Sequence, residues 1–112
     1  MMDHEKLDVY KVAILLVGET WNILSKIGVG NSEIVNQLKR AILSIPLNIA
    51  EGVGKTTVAD KKRFFSIARG SAMESAAIFD VLVSTALLSN SDIVSLKIFC
   101  SRITVMLIRS LQ

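Results

Sequence analysis

The sequence contains few of the residues that enzymes use for bond-making chemistry. Among its 112 residues there is one cysteine, one histidine and one proline. The single cysteine, Cys100, excludes a disulfide and a cysteine-based metal site within one chain, and its apolar helical neighbours are typical of a buried, inert thiol. The histidine is His4, which lies too close to the N-terminus to be a good candidate base or metal ligand.

Catalytic motifs are also absent from the sequence. Helical bundles can hold a di-iron centre, but that centre needs Glu-x-x-His pairs on facing helices, and no histidine follows Glu51 or Glu74 at that spacing. There is no Ser-His-Asp arrangement, no glycine-rich phosphate loop after a strand and no zinc-binding spacing. We therefore predict that the protein is not an enzyme and that it holds no metal and no cofactor.

No stretch of the chain is apolar for long enough to cross a membrane. The longest run without a charged residue extends from Val81 to Ser91, which is shorter than the roughly 20 residues that a spanning helix needs. The charged segment from Met1 to Lys6 is not followed by a small-residue cleavage site, so no signal peptide is predicted. Together with the single cysteine, these features predict a cytoplasmic protein with no membrane partner.

The sequence is nevertheless rich in apolar residues. Hydrophobic residues make up 51% of the chain and charged residues 21%, and the mean hydropathy is +0.50. A chain of this length has little core in which to bury so much apolar surface, so a second protein surface is needed to cover the excess. We therefore expect the protein to be a homo-oligomer.

Apolar residues recur at alternating steps of three and four along most of the chain, which predicts amphipathic helices. Glycine, asparagine, serine and threonine interrupt this pattern at three short connections. The predicted helices are Lys6–Ile27, Ser32–Gly52, Thr57–Ser89 and Ser91–Leu111. We predict an all-α fold, an antiparallel up-down-up-down four-helix bundle that forms a single domain over residues 1–112, with residues 1–5 as a frayed N-terminus.

The same repeat predicts which side chains of each helix face the core. In the third helix the predicted core row is Phe64, Ile67, Ser71, Glu74, Ile78, Val81, Thr85 and Leu88, and in the fourth helix it is Ile93, Leu96, Cys100, Ile103 and Leu107. The first helix has two such rows, an apolar arc too wide for a single partner, which suggests contacts both inside and outside the bundle.

Polar or small residues interrupt the predicted core rows on the second and third helices. These positions are Asn48, Gly52, Ser71 and Glu74. Nearby, Pro46 should kink the second helix and leave the carbonyl of Ile42 without its helical donor, which Ser44, Asn48 or water could replace. Polar groups on a core row are costly unless they are paired, so they indicate either a structural network or a binding site.

The rise per residue of an α-helix indicates which residues of the second and third helices lie at the same level and can pair within such a network. Glu74 should lie opposite Arg40 and form an ion pair with it, and Glu51 should pair with Lys55 or with a base at the start of the third helix. Hydrogen bonds from Asn48 and Ser71 would complete the network. We predict a structural network of Arg40, Asn48, Glu51, Ser71 and Glu74, and the alternative is a small-molecule site around Asn48, Glu51 and Glu74.

Positive charge is concentrated around the connection between the second and third helices. Residues 39–69 contain seven lysine and arginine residues and two acidic residues, so this segment carries +5 while the rest of the chain carries −2. Its candidate phosphate-binding residues, the basic patch, are Lys55, Lys61, Lys62, Arg63 and Arg69. The alternative is a solvated helix end whose lysines pair with Glu51 and Asp60.

The run SIPLNIAEG (Ser44 to Gly52), followed by Lys55, Phe64 and the segment from Ala68 to Glu74, resembles a known family. That family is the bacterial four-helix-bundle proteins encoded in intervening sequences of 23S rRNA genes, to which the accessory variability proteins of diversity-generating retroelements are related. The similarity covers nearly the whole chain. Lys55 stands where the family often has arginine, which keeps the charge but loses the bidentate geometry.

The resemblance implies a helical bundle, and some relatives form pentameric rings with a basic surface that works with a reverse transcriptase and nucleic acid. We therefore predict a non-catalytic accessory protein that is a homo-oligomer, a pentamer by resemblance, and that binds RNA or DNA through the phosphate backbone. A reverse transcriptase is a further partner implied by the resemblance. The alternative is a protein-interaction or scaffolding bundle that binds no nucleic acid.

Overall fold

The computed structural model describes residues 4–111. This part of the chain contains four α-helices and no strand: α1 His4–Leu24, α2 Ser32–Gly54, α3 Val58–Ser84 and α4 Asn90–Leu111. Each helix packs against the next one in the sequence, and α4 packs back against α1. The rod-shaped bundle measures 44 × 22 × 19 Å. The predicted all-α four-helix bundle is confirmed.

The helix α1 begins at His4, inside the segment 1–5 that we expected to be frayed. Residues 1–3 lie outside the described residues, so for them the expectation stays a prediction. At its other end, α1 stops at Leu24, earlier than the predicted Ile27, and the N–H groups of Lys26 and Ile27 turn back onto the carbonyls of Ile23 and Leu24. These short-range bonds satisfy carbonyls that the helix end leaves open.

The helix α3 ends at Ser84, and the predicted end at Ser89 is wrong. The chain reverses at Ala86, whose φ of 61° lies in the left-handed region. The N–H of Leu87 then donates to the carbonyl of Leu82 at 2.9 Å, as in the turns that commonly close helices. Glycine usually occupies such a position because a Cβ is strained there, so an alanine in this place hid the helix end from sequence reasoning.

Side chains cap the starts of α3 and α4. The Thr57 hydroxyl accepts the N–H of Asp60 at 3.1 Å. At α4 the Ser89 hydroxyl accepts the N–H of Asp92 at 3.2 Å, and the Asp92 carboxylate accepts the N–H of Ser89 at 2.9 Å. Lys26 at the end of α1 donates to the same carboxylate at 2.7 Å.

These contacts lower the pKa of Asp92 from 3.8 to about 2, and the hydrogen bond from Lys26 is the largest cause, followed by those from Ser89. A lowered carboxyl pKa means that the contacts contribute stability above the ordinary pKa. That contribution is lost as the pH falls toward 2.

All four helices contribute residues to the core, and these residues can be compared with the predicted core rows. On α4 all five predicted residues are buried. On α3 the predicted row is wrong in part, because Ile67, Glu74 and Val81 are exposed. The buried residues of α3 include the large Phe65, Phe79 and Leu82 and the small Ala68 and Ala72. Each of these five buried residues follows a predicted core position by one residue, so the repeat selected the row beside the buried face.

The helix α2 passes through Pro46 without ending, and Pro46 itself is buried. The amide of Asn48 donates to the carbonyl of Ser44 at 2.8 Å. Neither Ser44 nor Asn48 donates to the carbonyl of Ile42 in the described part of the chain, so of the expected replacements only water stays a prediction. The Asn48 side chain reaches back one turn to its own i−4 carbonyl, and Ile42 lies a further half turn away.

A buried glycine sets the distance between α2 and α3. A Cβ added to Gly52 would lie 2.5 Å from a ring carbon of Phe65. That ring is almost fully buried, so it cannot swing into solvent to make room. The helices can therefore approach closely only because residue 52 has no side chain.

Gly52→Ala should destabilise the fold by about 1–2 kcal/mol, because the clash with the Phe65 ring outweighs the better helix propensity of alanine. The measurement is the free energy of unfolding from urea denaturation followed by circular dichroism.

The matched control is Gly70→Ala in the middle of α3, where an added Cβ meets no atom within 4 Å. That change should stabilise the helix by about 0.5–1 kcal/mol. If Gly52→Ala also stabilised the protein, Gly52 would not set the helix separation.

Cys100 is buried on α4 as expected. Burial raises the pKa of its thiol to about 12, so the reactive thiolate is scarce at neutral pH. Within residues 4–111, no helix is both long enough and apolar enough to span a membrane.

Candidate functional site

The candidate nucleic-acid interface lies at the end of the bundle where α2 meets α3. Lys55 follows the last residue of α2, and Lys61, Lys62 and Arg63 lie in the first two turns of α3. These four members of the basic patch are therefore brought together at one end of a rod 44 Å long.

Two of these cations lie against the same aromatic ring. The Lys55 Nζ is 5.1 Å and the Arg63 guanidinium carbon 4.4 Å from the centre of the Phe64 ring, distances at which cations are attracted to ring faces. Lys55 also forms the predicted ion pair with Glu51, at 3.5 Å, and Arg63 pairs with Asp60 at 3.8 Å. Such exposed pairs are weak, so neither cation is locked by them. We name Lys55, Lys62, Arg63 and Phe64 the hairpin cluster.

Lys62 and Lys61 have different surroundings. Lys62 is exposed and has no ion pair or hydrogen bond among residues 4–111. Lys61 instead donates to the carbonyl of Val53 at 3.0 Å, where it satisfies a free acceptor in the last turn of α2. Lys62 is therefore available to a ligand, and Lys61 supports the helix end.

Arg69 lies apart from the hairpin cluster. It is half-buried on α3, about 9 Å along the helix axis from Arg63. Its Nε is buried and has no hydrogen-bond partner in the part of the chain that the structure describes. The prediction that Arg69 belongs with the other four cations therefore receives no support from the geometry.

A short polar network joins α2 to α3 midway along the helices. The Ser71 hydroxyl donates to the Ser44 Oγ at 2.7 Å, and the Asn48 amide donates to the same oxygen at 2.9 Å. The Ser75 hydroxyl bonds only to the Ser71 carbonyl on its own helix, at 2.8 Å. Asn48 and Ser71 thus belong to a structural network as predicted, and Ser44 is the member that sequence reasoning missed.

The other predicted members of this network are not part of it. Arg40 and Glu74 are exposed, and within residues 4–111 neither forms an ion pair, so the predicted Arg40–Glu74 pair is wrong. Glu51 is also exposed and pairs with Lys55 near the hairpin. Rise matching gives the level of a residue along a helix, but the rotation of α3 points Glu74 away from the core.

Arg40 and Glu74 instead line an open groove between α2 and α3. The groove has a volume of about 640 Å³. Arg40, Leu43 and Leu47 lie along its α2 wall, Glu74 lies on its α3 wall, and the serine–asparagine network forms part of its lining. We name this the α2–α3 groove. Glu51, which the alternative sequence hypothesis placed in a small-molecule site, is not among its lining residues.

Two rows of apolar residues alternate along α4, and the repeat revealed only the inner one. The second row, at steps of four, three, four and three, faces outward: Val94, Ile98, Ser101, Val105 and Ile108, all exposed. We name it the outer α4 stripe. Its spacing is that of a helix seam that receives a second helix. The signal was present in the sequence, because the outer row follows the inner one by one or two residues at every step.

Ser71→Ala should lower the free energy of unfolding by about 1 kcal/mol, because it removes the hydrogen bond that crosses from α3 to α2. Urea denaturation followed by circular dichroism measures the change. Ser66→Ala is the matched control, since Ser66 is exposed on the same helix. It should change stability by less than about 0.5 kcal/mol.

Glu74→Ala should likewise fall within about 0.5 kcal/mol of the native protein, because Glu74 is exposed. A loss of several kcal/mol would mean that Glu74 is paired in solution after all.

No group of histidine, cysteine, aspartate or glutamate residues within the described range 4–111 could hold a metal ion. The positions that do cluster are basic, aromatic, hydroxyl or amide side chains.

Comparison with known proteins identifies the sequence family. The model of the 23S rRNA-intervening sequence proteins matches residues 5–109. Among solved structures, the chain is similar to a protein of unknown function from the S23 ribosomal protein family of Bacteroides thetaiotaomicron VPI-5482. The two chains are 21% identical, the match covers 93% of this chain and 98% of that one, and the TM-score is 0.85. No curated protein matches.

Proposed function

Because this chain belongs to the 23S rRNA-intervening sequence protein family, we propose that it is a homo-oligomeric accessory protein that binds the backbone of RNA or single-stranded DNA. The resemblance to retroelement accessory proteins extends the proposal to a reverse transcriptase as a partner. The protein acts by binding and has no catalytic step of its own.

The hairpin cluster is the observation that carries the nucleic-acid proposal. Lys62 has no partner within residues 4–111, and Lys55 and Arg63 flank an aromatic ring at the same end of the bundle. Lysine and arginine side chains neutralise phosphates and release counterions, which gives affinity without sequence specificity. Phe64 holds the Lys55 and Arg63 cations near one another, so that both are already positioned to bind successive phosphates.

The double variant Lys62→Glu/Arg63→Glu should lose most of its affinity for a labelled single-stranded RNA, because it reverses two charges of the cluster. Fluorescence polarisation at several salt concentrations measures this. Binding by the native protein should weaken steeply with salt. In the variant, the slope of log affinity against log salt should become shallower by about 0.7 for each phosphate that the protein no longer neutralises.

The matched control is Lys26→Glu/Lys39→Glu, which makes the same charge change just after α1 and on α2, away from the hairpin. It should bind nearly as the native protein does. Equal weakening in both double variants would attribute binding to net charge alone. Absence of any salt-dependent binding by the native protein would favour the alternative, a scaffolding bundle without nucleic acid.

The outer α4 stripe supports the proposed homo-oligomer. Charge indicates what covers it: α4 exposes Arg102 and Arg109 beside the stripe, so a second α4 would bring like charges together. The exposed face of α1 complements α4 in apolar character through Ile14 and Leu15. It also complements α4 in charge, since Asp8 and Glu19 outnumber the one exposed lysine there, Lys11. Packing α4 of one copy on α1 of the next is heterologous and can close into a ring.

Ile98→Lys should convert the oligomer into monomers, because it places a charge in the middle of the stripe. Light scattering coupled to size exclusion measures the mass, and circular dichroism verifies that the helices persist. Val29→Lys is the control, since Val29 is fully exposed in the α1–α2 connection, and it should leave the mass unchanged.

A native protein that is monomeric at micromolar concentration would contradict the oligomer. If Ile98→Lys kept the native mass, the oligomer would stand and the outer α4 stripe would not be its interface.

A further inference from the structure

The α2–α3 groove combines a ligand-sized volume with unused polar groups. Its volume of about 640 Å³ lies in the range of small-molecule sites, which are roughly 300–1,000 Å³. The hairpin cluster lies at the end of the bundle, and the groove lies on its side and shares no residue with the cluster. A function for the groove is therefore separate from nucleic-acid binding.

Opposite charges lie at the same level on the two walls of the groove. The hydrogen bond between Ser44 and Ser71 fixes the register of the antiparallel helices. Arg40 lies about 6 Å from Ser44 along α2, and Glu74 lies about 4.5 Å from Ser71 in the same direction along α3. Both side chains line the groove, and neither has an ion-pair partner among residues 4–111.

The lining of the groove includes a hydroxyl hydrogen, on Ser44, that is free to donate to a ligand. The Ser44 Oγ accepts from both Asn48 and Ser71, which uses its two acceptor positions. Its own hydroxyl hydrogen has no acceptor among residues 4–111. Ser44 lies one turn from Arg40 on the same helix, so the hydroxyl and the guanidinium are neighbouring donors on one wall.

We propose that the α2–α3 groove binds a small zwitterion that carries an aliphatic group. Its carboxylate receives hydrogen bonds from the Arg40 guanidinium and the Ser44 hydroxyl, and planar two-point contact of this kind suits arginine. Its ammonium group pairs with Glu74 across the groove. Its aliphatic part covers Leu43 and Leu47, whose side chains line the α2 wall and are otherwise exposed.

The charges decide between this ligand and simpler ones. A carboxylic acid alone would leave Glu74 facing an apolar group, and an amine alone would leave Arg40 and the Ser44 hydroxyl unused. Loss of one charge-assisted hydrogen bond corresponds to roughly a tenfold loss of affinity. A molecule that carries both groups is therefore selected over either half.

The test is a titration of backbone amide chemical shifts on the isotope-labelled full chain with three probes. These are L-leucine, 4-methylpentanoate, which lacks the amine, and isoamylamine, which lacks the carboxylate. Leucine should give saturable shifts confined to residues 40–48 and 71–74, with an affinity roughly tenfold better than either half molecule. Equal responses to all three probes, or no saturable response, would overturn the proposal.

Two charge-removing variants separate specific binding from general effects. Glu74→Gln should abolish the preference for leucine over 4-methylpentanoate, and Arg40→Gln should abolish the preference for leucine over isoamylamine. Glu33→Gln is the control: it removes an exposed carboxylate of the same helix as Arg40 that does not line the groove. It should retain both preferences. Retention of both preferences in Glu74→Gln would show that the ammonium group is held elsewhere and would overturn the assignment.

Discussion

The close packing of α2 against α3 is the constraint on which the rest of the structure depends. Gly52 sets the separation of the two helices, because no other residue leaves room for the Phe65 ring. The Ser44–Ser71 hydrogen bond sets their register. With separation and register fixed, the connection between the helices must present its lysines at one end of the bundle, and Arg40 and Glu74 must face each other across a groove.

The second constraint is the amount of apolar surface. The bundle already has a buried core, in which large side chains such as Phe79, Leu82 and Ile103 are fully buried. Nevertheless α4 carries an outer row of apolar residues, and α1 carries exposed Ile14 and Leu15. A helix with two apolar rows satisfies one partner inside its own bundle and keeps the second row for another surface. The excess hydrophobicity is therefore organised in rows and is not scattered over the surface.

The fold could be predicted because the three-four repeat and the turn residues agree along the whole chain. Prediction failed where local chemistry was unusual or where rotation mattered. Ala86 ends α3 in a conformation that normally indicates glycine. The Arg40–Glu74 pair was wrong because rise along a helix is set by residue count, whereas the direction of a side chain depends on which face packs. The Lys55–Glu51 pair was right because both residues belong to one helix end, where the spacing alone brings them together.

An even number of antiparallel helices gives the molecule two unlike ends. The ammonium group of Lys6, near the start of α1, lies 5.5 Å from the centre of the Phe65 ring on α3, so α1 starts and α4 finishes on the side of the hairpin cluster. A fusion partner joined to the start of α1 or to the end of α4 would therefore lie beside the charged rim and mask it. A label inserted between Gly28 and Asn31 would sit at the far tip of the rod, where it reports on assembly without touching that rim.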